Sequence, residues 1–229
     1  MKPAFIVTVH QSELYRPKGH EFLTRYLESL KDNLKIPYDV FIMENASEFK
    51  YSAPNEYHYH YFPDQKLGMT RAWNVGVQLA IENGNDILSV TNEDVYFNDT
   101  INDYFSVIEN SKNLENSIFG PCSDCKTTFP LQYRTQPINE IADITNSTHG
   151  IHGWFTTFSK FYYEKYNINK NIFDPGKYWS GQEFFQHRDW DLGAKSYVIK
   201  SCILHHDHTG SWRKTKSDIP QPTQSASKS

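Results

Sequence analysis

Apolar residues fall in two patterns along the first hundred positions. Residues 4–9 form an unbroken β-branched and aromatic run that ends in His10-Gln11-Ser12, the mark of a buried strand. In residues 21–34, Phe22, Leu23, Tyr26, Leu27 and Leu30 recur with the spacing of one helix face, and Pro37 closes the segment. Residues 40–43 read as a second strand, closed by the turn formers Glu44-Asn45-Ala46-Ser47. Residues 57–62 give a short third strand. Residues 67–82 give a helix with Ala72, Val75, Leu79 and Ala80 near one face, stopped by Asn83-Gly84-Asn85. Residues 86–91 are a fourth apolar strand, ending in Asn92-Glu93-Asp94. This alternation predicts an α/β fold: one domain with a mostly parallel central sheet flanked by helices.

The second half is less regular. Residues 101–108 read as a helix. Residues 119–148 contain Pro121, Pro130 and Pro137 and are expected to form loops and edge strands. A strand is expected at 153–158, helices at 159–166 and 182–194, and an apolar strand at 196–204. Residues 212–229 are polar, rich in Ser and Lys, and expected to be a disordered tail.

Composition narrows the function. The chain of 229 residues has 23 Lys and Arg against 27 Asp and Glu, a formal charge of −4. That balance excludes a protein that grips nucleic-acid phosphates through a basic surplus. Aromatic residues make up 15%, far above what disordered chains carry. Three cysteines, Cys122, Cys125 and Cys202, cannot build a disulfide framework, and Cys122-x-x-Cys125 lacks the second pair of a zinc site. The N-terminal apolar run is too short for a signal peptide, and no stretch approaches the roughly 18 residues of a membrane span. A cytoplasmic protein is expected, with peripheral membrane association compatible. The sequence is silent on oligomeric state.

Candidate chemistry gathers after the strands. In open α/β sheets, ligands bind beyond the carboxyl ends. Three polar groups sit there: His10-Gln11-Ser12, Glu44-Asn45-Ala46-Ser47 and Asn92-Glu93-Asp94. Each alone is equally a polar turn. Arg71 and Asn74, three apart on the second helix, share a face. His205, His206 and His208 follow the last strand. Trp154 and Trp179 offer flat apolar faces on which a ligand could pack.

These blocks resemble a known family. Ile42-Met43-Glu44-Asn45-Ala46-Ser47, then Gly68-Met69-Thr70-Arg71-Ala72-Trp73-Asn74-Val75-Gly76, then Leu88-Ser89-Val90-Thr91-Asn92-Glu93-Asp94-Val95 are similar, in order and spacing, to GT-A glycosyltransferases of the inverting family-2 type. Gly153 to Phe158 looks like the family's acceptor-side strand. Gly181-Gln182-Glu183 to Arg188 and Gly193 resembles the segment that supplies the catalytic base, and His205 to Ser211 the closing His-x-x-x-Gly-Ser segment. The resemblance covers residues 4–211. It implies one domain over 1–211, with a nucleotide-sugar half at 1–100 and an acceptor half at 101–211.

The activity so implied is inverting transfer of a sugar from a nucleoside-diphosphate sugar, UDP-sugar by default, to a glycan, protein or lipid-linked acceptor hydroxyl. His10, Gln11, Glu44, Asn45, Ser47, Arg71, Asn74, Asn92 and Glu93 would bind the donor, and Trp154 and Trp179 the acceptor. Glu183 would be the general base, with Asp189 and Asp191 as alternates. Asp94, His206 and His208 would hold Mn²⁺ or Mg²⁺, which offsets charge on the leaving diphosphate. The family's metal motif has an acid two residues before Asp94; this chain has Asn92. Two other functions fit the residues. One is a metal-dependent hydrolase built on the His205–His208 cluster. The other is an inactive nucleotide- or sugar-binding module.

Overall fold

The computed structural model describes residues 1–13, 16–63, 68–126, 130–176 and 181–207, the side chains of 181–184 excepted. The first half follows the hydrophobic pattern. Strand β1 (Pro3–Val9) lies between β2 (Asp39–Asn45) and β4 (Ile87–Asn92), and β3 (His58–Phe62) joins the outer edge of β2; all these pairs are parallel. Helices α1 (Gly19–Asn33) and α2 (Gly68–Glu82) make the crossovers.

Every residue of β1 is buried, because both sheet faces are covered. Ala4 and Ile6 belong to one core, with Trp73, Val77 and Ala80 of α2. Phe5, Val7 and Val9 belong to the other, with Leu23, Tyr26 and Leu30 of α1 and Ile101, Tyr104 and Phe105 of α3 (Thr100–Glu109). Burial of each such Leu, Ile or Phe stabilises the fold by about 1.5–3 kcal/mol.

The second half completes the sheet in a way the sequence pattern misses. A two-residue strand β5 (Val95–Tyr96) precedes α3. After it come β6 (Ser117–Ser123), β7 (Ile141–Asp143), β8 (Phe155–Ser159), helices α4 (Lys160–Tyr166) and α5 (Gly181–Trp190), and β9 (Lys195–His206). The order across the nine-stranded sheet is β3-β2-β1-β4-β8-β6-β9-β5, with β7 on β9. Strand β8 is antiparallel to both β4 and β6, while β6 and β9 are parallel to each other. The sheet is therefore mixed: β8, β5 and β7 run against the rest.

Strand β6 lies inside the sheet, although its proline predicts a loop or an edge. The pairing of β6 with β9 shifts register between Pro121 and Cys122, and this irregularity absorbs the missing N–H. Helix α5 ends at Trp190, short of the expected 194. Gly193 at φ 92° takes the left-handed turn that closes it, its N–H on the Trp190 carbonyl at 3.0 Å. Among the described residues, no helix is long and apolar enough to cross a membrane.

Candidate functional site

Strand direction decides which residues meet. The carboxyl ends of β1, β2, β4, β6 and β9 share one edge of the sheet, and antiparallel β8 begins there. This places His10, Asn45, Asn92 and Trp154 together: Asn92 N–H donates to the Trp154 carbonyl at 3.1 Å, and the His10 ring bonds the Asn45 carbonyl at 2.8 Å.

The turn after β2 is built by hydrogen bonds. Glu44 is fully buried and bonds His20 Nε2 at 2.6 Å, the Tyr51 N–H at 2.9 Å and the Tyr59 hydroxyl. Burial alone would push its carboxyl up, but the bonds from His20, Ser47, Tyr59 and Tyr51 outweigh burial and hold it below its usual value. Ser47 Oγ accepts from the Gln11 N–H at 2.9 Å, and Gln11 Oε1 accepts from the His20 N–H at 3.0 Å. Between Asn45 and Ser47, Ala46 sits at φ 54°, a left-handed conformation that costs a non-glycine residue about 1–2 kcal/mol.

The turn after β4 holds charge. Arg16, on the β1–α1 loop, is 3% exposed and reaches both acids. Its Nε donates to Glu93 Oε1 at 2.9 Å, and its Nη2 lies 2.9 Å from the same oxygen and 3.1 Å from Asp94 Oδ2. His206 Nε2 lies 3.3 Å from Asp94 Oδ1, and the His206 ring stacks on Trp154 at 5.1 Å. The pairing of Val95 with His206 delivers that histidine from the end of β9. Burial raises both carboxyls. At Asp94, His206 and Arg16 outweigh it and leave a strong acid, while at Glu93 burial wins over Arg16.

Comparison with solved structures identifies the architecture. Over 90% of its length the chain superposes on 60% of TarS 1-349 from S. aureus, with TM-score 0.63 and 17% identity. It covers 93% of itself and 61% of the same protein in complex with UDP-GlcNAc, at TM-score 0.61 and 17% identity. GalNAc-T7, in a structure with UDP, GalNAc and Mn²⁺, aligns over 90% of this chain and 44% of its own, at TM-score 0.68 and 12% identity. These neighbours are GT-A glycosyltransferases. The fold is GT-A. The chain spans less than two thirds of the length of each of these neighbours. No protein-family model and no curated protein matches it.

Within this GT-A domain the expected site residues divide. His10, Gln11, Glu44, Asn45, Ser47, Asn92, Glu93, Asp94 and His206 gather at the shared edge. Among the described residues, the Oδ1 atoms of Asn45 and Asn92 are buried there without a hydrogen-bond partner. Asn74 acts elsewhere. Its amide accepts from the N–H groups of Ile172 and Phe173 at 3.1 and 3.0 Å and donates to the Phe173 carbonyl at 2.9 Å, pinning that segment to α2. Arg71 donates to the Pro175 carbonyl at 2.9 Å beside it. Trp154, expected as a sugar platform, is 1% exposed; the start of β8 tucks its ring under His206.

Asp189 is buried, not open to an acceptor. It bonds the Tyr162 hydroxyl at 2.7 Å and Arg188 Nε at 2.6 Å, and burial raises its carboxyl despite both. Asp191 is exposed just past α5. Glu183 lies in α5, with its side chain outside the described residues, as are Trp179, His208 and Ser211 entirely. The histidine cluster divides by strand alternation. His205 points away from His206 to Asp124 at 3.0 Å and stacks on Tyr96.

Asp94 Oδ2 takes Arg16 Nη2, whereas Asp94 Oδ1, 3.3 Å from His206 Nε2, is buried without a hydrogen-bond partner among the described residues; Glu93 faces the same guanidinium, and position 92 offers a neutral amide. Among the described residues, no group of three or more His, Cys, Asp or Glu side chains converges as a metal site. The sequence pattern does not single out Arg16, His20 or Tyr59. Arg16 stands in a polar segment before Pro17, where nothing in the spacing marks a buried side chain.

Proposed function

We propose that the chain is a glycosyltransferase that binds a nucleoside-diphosphate sugar, with UDP-sugar as default donor, at the carboxyl ends of β1, β2 and β4. One observation carries the reading. On a GT-A fold, two buried amide oxygens flank the end of β1 with no donor among the described residues to satisfy them, Asn45 Oδ1 and Asn92 Oδ1. Buried acceptors of this kind are paired in finished sites. Ribose hydroxyls and a pyrimidine N–H are donors of the right type. Glu44, Gln11 and Ser47 shape the turn that presents Asn45.

In the proposed reaction a carboxylate takes the proton of an acceptor hydroxyl. That oxygen attacks the anomeric carbon in line, the bond to the diphosphate oxygen breaks, and the configuration inverts. Glu183 is the proposed base, with Asp191 as alternate. The acceptor is a glycan, a protein or a lipid-linked sugar. No step runs through a metal.

The test is transfer by the purified chain from a panel of UDP-, dTDP- and GDP-sugars to mixed glycan and lipid-linked acceptors, with Glu183→Gln beside it. The variant is expected to lose about 10²- to 10⁴-fold in rate while still binding UDP. An unchanged rate would remove Glu183 as the base. Absence of transfer from every donor by the unmodified chain would overturn the reading itself.

A further inference from the structure

We propose that a pocket far from the strand-end site, between the end of α3 and the start of β9, binds a sugar unit that carries a negative group. The pocket has a volume of about 460 Å³, within the roughly 300–1,000 Å³ of small-molecule sites. Its floor is apolar. The register of β6 against β9 sets Phe119 beside Tyr197, and their rings stack at 5.8 Å and 26°. Val107 of α3 and Ile141 of β7, an exposed side chain, extend this floor. The rim is polar on the α3 side. Asn110 Nδ2 donates to the Ser106 carbonyl at 2.8 Å, which leaves its Oδ1 as an acceptor. Among the described residues, no hydrogen bond or ion pair engages Ser106 Oγ, Ser111 Oγ, the Tyr197 hydroxyl or Lys112 Nζ, and all four residues line the pocket.

A pyranose ring matches this division. One of its faces is C–H and packs on aromatic and aliphatic side chains, while its hydroxyls point outward to donors and acceptors. Among the described residues, Lys112 is the one charged group of the lining, and no carboxylate lines the pocket. A sugar with an acidic substituent therefore gains a charge-assisted hydrogen bond that a neutral one lacks. Tyr197 stands nine residues before His206 on the same strand, about 30 Å away at ~3.3 Å per residue. A single sugar cannot span that distance. On the glycosyltransferase reading above, the pocket holds a remote unit of an acceptor several sugars long, but the binding itself does not depend on that reading.

The experiment titrates the intact chain by calorimetry with a hexuronic-acid tetrasaccharide and with the neutral hexose tetrasaccharide of the same linkage. Two variants go beside it: Lys112→Gln, and Ser106→Gln, whose longer side chain takes up the pocket mouth. Both positions are exposed, so the urea midpoint should stay unchanged. The acidic glycan is expected to bind more tightly than the neutral one, and Lys112→Gln to weaken it about tenfold. Ser106→Gln should weaken both glycans. Absence of binding by the acidic glycan, a preference for the neutral one, or acidic-glycan binding that neither variant alters would each overturn the proposal. A parallel titration with UDP separates the two sites: glycan binding without UDP binding leaves this pocket standing and counts against the donor site, and the reverse overturns the pocket alone.

Discussion

Glu44 shows how a carboxylate is buried without a metal or an arginine. It is fully enclosed, and a histidine, a tyrosine hydroxyl and a backbone N–H share its oxygens. Its folded pKa lies below the unfolded value of about 4.3, so the folded state binds fewer protons than the unfolded chain in acid. The stability this contributes is complete above about pH 4.3 and is lost as pH falls through the folded pKa. Glu44→Gln should therefore flatten the acid limb of stability against pH, by up to about 1.4 kcal/mol per pH unit. Urea unfolding from pH 3.5 to 6 checks this, and an unaltered slope would assign the linked proton elsewhere. Arg16 belongs to the same scale but resists sequence reading. A guanidinium is normally solvated, and only the meeting of a loop with the turn after β4 buries this one.

At the level of elements, legibility follows periodicity. Strands β1, β2 and β4 and helices α1 and α2 are readable because each buries a full face and carries its period openly. Strand β6 is not, because Pro121 imitates a breaker and only the irregular pairing with β9 reveals that it is tolerated. The opposed direction of β8 is also hidden, since strand orientation leaves no mark in a five-residue segment of Phe, Thr and Ser. For the site, the strand-end groups are legible from position alone. The separate roles of Asn74 and Trp154 are not, because they depend on the 172–173 segment and on the last turn of β9.

Helix α2 owes its closeness to the sheet to Gly76. A Cβ there would meet Ile6 Cγ2 at 2.4 Å and Met43 Cγ and Sδ at 3.2 Å, all deep in the core. Gly76→Ala gains helix propensity of about 1 kcal/mol but forces helix and sheet apart at a cost of about 1–3 kcal/mol. A net loss of stability is expected, measurable as a lower urea midpoint; a raised midpoint would contradict the packing.

On the scale of the whole molecule, two cores on opposite faces of one sheet leave the shared strand edge as the place where polar groups can go unpaired. A ligand that fills such an edge stabilises the folded state only. UDP at about 100 times its Kd should contribute roughly 2.7 kcal/mol. For a domain of this size that raises Tm by about 5–10 °C. Differential scanning fluorimetry measures it directly, and a flat response across UDP, dTDP and GDP would count against the donor site.

Strand β9 runs in the direction of β1 and stops at the candidate edge, where the Asp207 N–H meets the Asp94 carbonyl at 2.8 Å. Met1 lies at the opposite end of the sheet, its amine 3.6 Å from Glu109 at the end of α3. A tether for surface immobilisation joined ahead of Met1 would therefore hold the protein with its strand-end face turned to the solution, whereas one fused after residue 207 would emerge beside Asp94 and compete with whatever docks there.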